Sequence, residues 1–292
     1  MSRARTVPPE KLRHQGFWPG RMPYIRTGSG EPLLYLPGIS PNHNPPEGLD
    51  RRLQAQTILP FAQHRQVWWV NRRPGLDPHV TMEQIADDYA AGMRAKFDGP
   101  VDVLGISTGG SVALQLAIDH PELVRRLVVV AAAYRLGARA AAIKRRVGQF
   151  VLERNPRRAS GEMMKLLSTD AQGEQALSGI GWLFGNAILG QANEDMLAVI
   201  EAEDHFDVRD RLNEITAPAL VIGGDKDLCY GPGMFAETAE RIANGRLLLY
   251  KEKGHGDAFG SRATKDALEF LGAAIAGARH PRSAARLDPS TF

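Results

Sequence analysis

The chain has 292 residues and a mass of 31.9 kDa, of which 43% are hydrophobic and 24% charged. This ordinary globular composition excludes disordered, collagen-like and coiled-coil classes and leaves room for one or two domains with a large core. The net charge of +3 comes from the ends: residues 1–13 carry +3 and residues 279–292 carry +2, so the body between stands at −2 and offers no positive excess to nucleic acid.

Residues 1–21 read as an N-terminal extension. Residues 22–27 and 33–36 read as strands joined by a tight turn that Gly28 and Gly30 supply. A helix is predicted over 49–63 and a fully apolar strand over 66–70, where Trp68 and Trp69 are most simply core. Residues 82–97 place Met82, Ile85, Tyr89, Met93 and Phe97 at helical spacing, with Thr81 as N-cap. A strand over 101–106, a helix over 108–119 and a strand over 127–132 follow. Continuous apolar strands alternating with helices predict a parallel sheet covered on both faces.

From 134 to 213 the pattern is helical only, which reads as a cap or lid inserted into the sheet. Strands over 219–224 and 246–250, with helices over 233–243 and 262–278, then resume the alternation. The predicted domains are a core of 22–133 with 214–278, a cap of 134–213 and a basic C-terminal tail of 279–292. Within the cap, residues 134–160 hold eight basic residues and one acid, and residues 161–210 hold ten acids and two bases. Two mutually attracting faces explain the split more simply than a rim that steers anions or meets a membrane. The run 177–189, LSGIGWLFGNAIL, places Trp182 and Phe184 as candidate lining of an apolar substrate pocket, against the plainer reading of ordinary packing.

A lone cysteine, Cys229, rules out an intramolecular disulfide and a cysteine-based zinc cluster. The longest apolar run, 127–134, is far short of the ~20 residues of a membrane-spanning helix. With no apolar N-terminal stretch, a soluble, cytoplasmic protein is expected.

Gly105-Ile106-Ser107-Thr108-Gly109 sits between a predicted strand and a predicted helix. That is the setting of a nucleophile elbow, whose small neighbours let the helix pack close to the strand. A helix N-cap serine is the plainer alternative, and the flanking glycines favour the elbow. A serine hydroxyl needs a base, and the base an orienting acid, gathered at the C-terminal ends of later strands. Asp225 and Asp227 follow one such strand and His255 follows the next, in the chain order Ser107, acid, His255. His43 lies in an early loop, and His205, in the insertion, reads as structural or pocket-lining.

Through the segments LLYLPGIS, GISTGG, VIGGDKD and KGHGD, covering roughly 22–278, the sequence resembles the α/β-hydrolase-fold serine hydrolases of esterase and lipase type. The resemblance implies an α/β fold with a mostly parallel central sheet and an inserted helical cap. It implies Ser107 as nucleophile, His255 as base and Asp227 as acid, since the family acid follows its strand as G-x-x-D; Asp225 is the runner-up. It also implies an oxyanion hole from the N–H groups of Thr108 and Ile39. Many relatives carry His-Gly where this chain has Pro37-Gly38, which puts the shape of that loop in question. The serine elbow argues against epoxide hydrolase and haloalkane dehalogenase activity, which use aspartate there.

The expected activity is hydrolysis of carboxylic esters with apolar groups, through an acyl-enzyme and with no metal or cofactor. A thioesterase, an acyltransferase, a C–C bond hydrolase and a non-catalytic ligand-binding protein remain as alternatives. The expected partner is a small ester-like molecule, without nucleic acid or a membrane span; substrate identity and oligomeric state are not readable.

Overall fold

The computed structural model of the chain describes residues 14–272. The basic residues 1–13, the last part of the helix expected to reach 278 and the tail 279–292 lie outside the described residues.

Eight strands form one sheet: β1 (His14–Phe17), β2 (Pro23–Thr27), β3 (Pro32–Leu36), β4 (Gln66–Val70), β5 (Val101–Ile106), β6 (Val124–Val130), β7 (Ala219–Gly224) and β8 (Gly245–Tyr250). Their order is β1-β2-β4-β3-β5-β6-β7-β8, and the sheet is parallel from β4 to β8 with β1 and β2 antiparallel at one edge. Apart from Asp102 in β5 and Arg125 and Arg126 in β6, the central strands are largely apolar, because successive side chains enter different cores. Leu34, Leu36, Trp68, Val103 and Val129 pack on one face. Leu33, Tyr35, Trp69, Leu104 and Val128 pack on the other.

Helices α2 (Met82–Lys96), α3 (Thr108–Asp119) and α9 (Pro232–Arg241) cover the first face, and α1 (Gly48–Ala62) and α10 (Ser261–Phe270) the second. Thr81 caps α2 with a reciprocal capping box to Gln84, and Met82, Ile85, Tyr89 and Met93 are buried as their spacing predicts. Five further helices, α4 (Ala138–Leu152), α5 (Pro156–Met164), α6 (Ala171–Leu183), α7 (Gly185–Leu189) and α8 (Glu194–Asp204), lie between β6 and β7. An isolated antiparallel bridge between Arg135 and Asp207 closes the neck of this insertion.

Two early expectations change. Strands β2 and β3 do not pair with each other; β4 lies between them. Gly28, at φ 78°, turns the chain there, and a Cβ on it would overlap the carbonyl oxygens of Ala62 and Arg65, where the chain enters β4. The turn therefore packs against the entry of a third strand instead of closing a hairpin. Residues 14–21, read as extension, belong to the core: β1 pairs with β2, and the buried Trp18 ring packs against Trp68 and Phe97. Gly92 on α2 leaves the space this indole fills.

Candidate active site

Strand β5 ends at Ile106 and α3 begins at Thr108, so Ser107 alone makes the turn. Its φ of 52° and ψ of −123° are strained for a residue with a side chain. The crossing is tight: a Cβ on Gly105 would overlap the Gly109 carbonyl oxygen, and one on Gly109 would overlap that of Leu36. Strand and helix close on one another only with glycine at both positions.

The ends of β7 and β8 deliver the partners. Ser107 Oγ lies 3.1 Å from His255 Nε2, and His255 Nδ1 lies 2.9 Å from Asp227 Oδ2. The carboxylate accepts from Nδ1–H, which leaves Nε2 to accept from the serine hydroxyl. Asp227 is held in turn by the Cys229 N–H on its other oxygen. Asp225 makes no bond to the imidazole, and its Oδ1 is buried without a hydrogen-bond partner. Both Asp227 and His255 are buried, and Tyr230 stacks on the imidazole with ring centroids 6.0 Å apart. Burial opposes the imidazolium, but the Cys229 sulfur and the Asp227 carboxylate beside it outweigh burial and raise the His255 pKa above its ordinary value.

Asp227, Cys229 and His255 also form a group whose potential ligand atoms lie within 4.8 Å of one another. Asp227 and His255 are already bonded to each other there, so the group reads as a hydrogen-bonded pair with a neighbouring thiol.

A cavity of about 290 Å³ opens over Ser107, between the sheet edge and the insertion. Its core side includes Tyr35, Gly38, Ile39, Ile106 and His255; its cap side is Lys144, Met163, Met164, Leu166 and Leu167. Thr108 is the first residue of α3, so its N–H has no intrahelical acceptor. Gly38 packs near the Ser107 side chain, which brings the following Ile39 to the same cavity.

A family model described as serine aminopeptidase, S33, matches residues 79–258, a stretch that contains Ser107, Asp227 and His255. The chain belongs to that family. A pimeloyl-[acyl-carrier protein] methyl ester esterase of Neisseria meningitidis serogroup B is 31% identical over 175 residues, covering 57% of this chain and 66% of that protein. The aligned stretch thus spans just under two thirds of that relative. An alpha/beta hydrolase enzyme from a Medee basin deep-sea metagenome library superposes with a TM-score of 0.72 at 16% identity, covering 89% of this chain and 98% of that one. The enol-lactonase from Burkholderia xenovorans LB400 superposes at 0.70 and 19% identity, covering 89% and 100%. The fold is that of the α/β-hydrolases.

Three features around the cavity bear on the readings made from the sequence. First, the cap run with Trp182 and Phe184 does not line the cavity. These side chains are 51% and 55% exposed. Helix α6 lies outside α5 and turns Gly181 inward against Ser160, while the Arg157 guanidinium covers the Trp182 ring at 4.9 Å. The lining comes from the end of α5 and the 3-10 turn Lys165–Leu167, a short apolar MMKLL run that the longer aromatic stretch overshadows.

Second, His205 is an exposed residue at the end of α8 and bonds back to the Glu201 carbonyl. The opposite charges of the insertion meet one another: Arg145 with Asp204, Arg146 with Glu162, Arg139 with Glu174 and Arg135 with Asp207.

Third, the loop at Pro37-Gly38 has a support the sequence did not reveal. Arg72, immediately beyond β4 and 1% exposed, donates to the Gly38 carbonyl at 2.7 Å and to the Pro37 carbonyl at 3.3 Å. His43, fully buried, accepts from Arg72 Nε and donates from Nδ1 to the Arg73 carbonyl. Desolvation, reinforced by the Arg72 charge, pushes the His43 pKa down to about 3, so the ring is neutral. The advance signal in the sequence is a basic pair, Arg72-Arg73, one residue beyond an apolar strand.

Proposed function

We propose that the protein is a serine hydrolase that cleaves carboxylic esters carrying apolar groups through an acyl-enzyme intermediate. The observation that carries this reading is the continuous hydrogen-bonded line from Ser107 Oγ through His255 to Asp227, opening into a cavity lined mainly by apolar side chains. The esterase name of the Neisseria relative supports the ester as the bond attacked.

Ser107 Oγ adds to the ester carbonyl while His255 Nε2 takes its proton. The oxyanion accepts hydrogen bonds from the N–H groups of Ile39 and Thr108. His255 returns the proton to the departing alcohol, leaving Ser107 acylated. It then takes a proton from water as the hydroxyl adds to the acyl carbon, and gives it back to Ser107 as the acid leaves. Asp227 stays ionised throughout and stabilises the imidazolium.

A serine-directed fluorophosphonate tests the assignment without knowledge of the natural substrate. The expected adduct is on Ser107, with p-nitrophenyl butyrate hydrolysis lost in Ser107→Ala. An adduct elsewhere, or undiminished turnover in that variant, rejects the nucleophile.

A further inference from the structure

Most of the cavity lining is apolar, yet one cap residue on it is a lysine. Lys144, on α4, is 3% exposed. Its ammonium is ion-paired with Glu203 of α8 and donates to the Thr108 hydroxyl at 3.1 Å. Glu203, itself fully buried, also accepts from the Thr108 hydroxyl at 3.0 Å and from Ser111 at 3.2 Å. Both carboxylate oxygens are thereby engaged. An ammonium has three N–H donors. Two are used here, and the third has no acceptor among the described residues.

A buried donor without an acceptor is costly, and an apolar side chain such as Met163 would line the cavity without that cost. The position is specific as well. Lys144 borders the cavity that opens over Ser107, and its ammonium bonds the side chain of Thr108, the residue directly after the proposed nucleophile. Its charge is balanced by Glu203, which suits an uncharged oxygen better than a second carboxylate.

We propose that Lys144 is a specificity residue whose third N–H binds an uncharged oxygen substituent, hydroxyl or oxo, on the acyl chain close to the scissile carbonyl. This rests on the serine-hydrolase reading above and names the substrate class for it: short oxygenated acyl esters in preference to plain ones.

The test uses the whole protein and three ethyl esters, of butanoate, 2-hydroxybutanoate and 3-hydroxybutanoate. Each kcat/KM is divided by the rate of alkaline hydrolysis of the same ester, which removes intrinsic reactivity. A hydrogen bond to a charged donor is expected to favour one hydroxylated ester over butanoate by roughly 10- to 100-fold. In Lys144→Met combined with Glu203→Gln, which avoids an unpaired buried carboxylate, that ratio is expected to fall towards unity. Equal losses on all three esters would make Lys144 a purely structural residue and overturn the proposal. So would a wild-type ratio near unity, a measurement that needs no variant to fold. Failure of the underlying serine-hydrolase reading looks different: all three esters are then left uncleaved, or are cleaved equally by Ser107→Ala.

Discussion

Arg72 Nε donates to His43 Nε2 at 3.3 Å, and this buried pair stands directly behind the loop that carries Ile39. The remaining guanidinium donors hold the carbonyls of Pro37 and Gly38. Fixing both carbonyls fixes the peptide plane that leads into Ile39. An arginine reaching in from the next strand thus anchors a loop whose own sequence, Pro-Gly, offers no side-chain donor. The neutral imidazole lets the guanidinium be buried here with an acceptor at Nε and no second cation beside it.

Arg72→Met is expected to lower kcat while leaving KM nearly unchanged, because the oxyanion role proposed for the loop is exercised in the transition state. Deleting an oxyanion donor costs roughly 10²- to 10³-fold in kcat, and loosening one is expected to cost about 10- to 100-fold. Arg72→Lys should not restore the rate, since an ammonium cannot reproduce the planar fork across two carbonyls and an imidazole. Steady-state kinetics on p-nitrophenyl butyrate, beside thermal melting of both variants, decide the point. A rise in KM alone would place Arg72 outside this role.

His43 makes stability depend on pH in a defined direction. Its folded-state pKa of about 3 lies below the ordinary 6.5, so the unfolded chain takes up a proton first as pH falls. The stabilisation is present above pH 6.5 and is lost progressively towards 3 at ~1.4 kcal/mol per pH unit, about 2 kcal/mol by pH 5. Urea midpoints at pH 7.5 and 5.0 measure this loss. His43→Gln, which keeps one donor and one acceptor without a titrating group, should be less stable at pH 7.5 and show a shallower loss on acidification.

The imidazole of His255 behaves in the opposite sense. The adjacent Asp227 carboxylate and Cys229 sulfur favour the protonated form against burial, so the pKa is raised. The base form therefore fills only at higher pH, and kcat/KM should climb along a limb whose midpoint lies above 6.5. Asp227→Asn removes a charge that favours the imidazolium. The midpoint should shift downward, and kcat should drop on the order of 10³- to 10⁴-fold as the tautomer and orientation are lost. An unshifted midpoint in that variant would remove Asp227 as the partner that sets the imidazole.

The strand–helix alternation was legible because the central strands are buried on both faces and therefore carry apolar runs, as 67–70 and 219–224 do. The elbow was legible because packing a helix onto a strand through one residue demands the glycines that flank Ser107. Neighbour relations among strands were not legible: nothing local in the turn at Gly28 tells that β4 will enter between β2 and β3. The supports of the site were hidden for a related reason. Arg72, Lys144 and Glu203 are charged residues, ordinarily solvated, and only the folded chain shows them buried around the serine turn. Asp102 is similar: it lies in the β5 run read as apolar and is fully buried against Arg65 and Arg125.

Cap residues are separable by which surface they face. Met163 borders the cavity, whereas Phe184 is half exposed on the outer side of the insertion. An acyl chain reaching the cavity wall buries apolar surface against Met163 and none against Phe184. Full burial of a methionine is worth about 1.5–3 kcal/mol, and a partial contact about 1 kcal/mol, near a fivefold change in binding. Met163→Ser is therefore expected to raise KM for p-nitrophenyl hexanoate about fivefold, with a smaller effect on the acetate, whose acyl group is too short to reach. Phe184→Ser is expected to leave both values within about twofold, the scale of an ordinary surface substitution. The reverse pattern, with the hexanoate KM sensitive to Phe184 and indifferent to Met163, would return the acyl wall to the glycine-rich aromatic run.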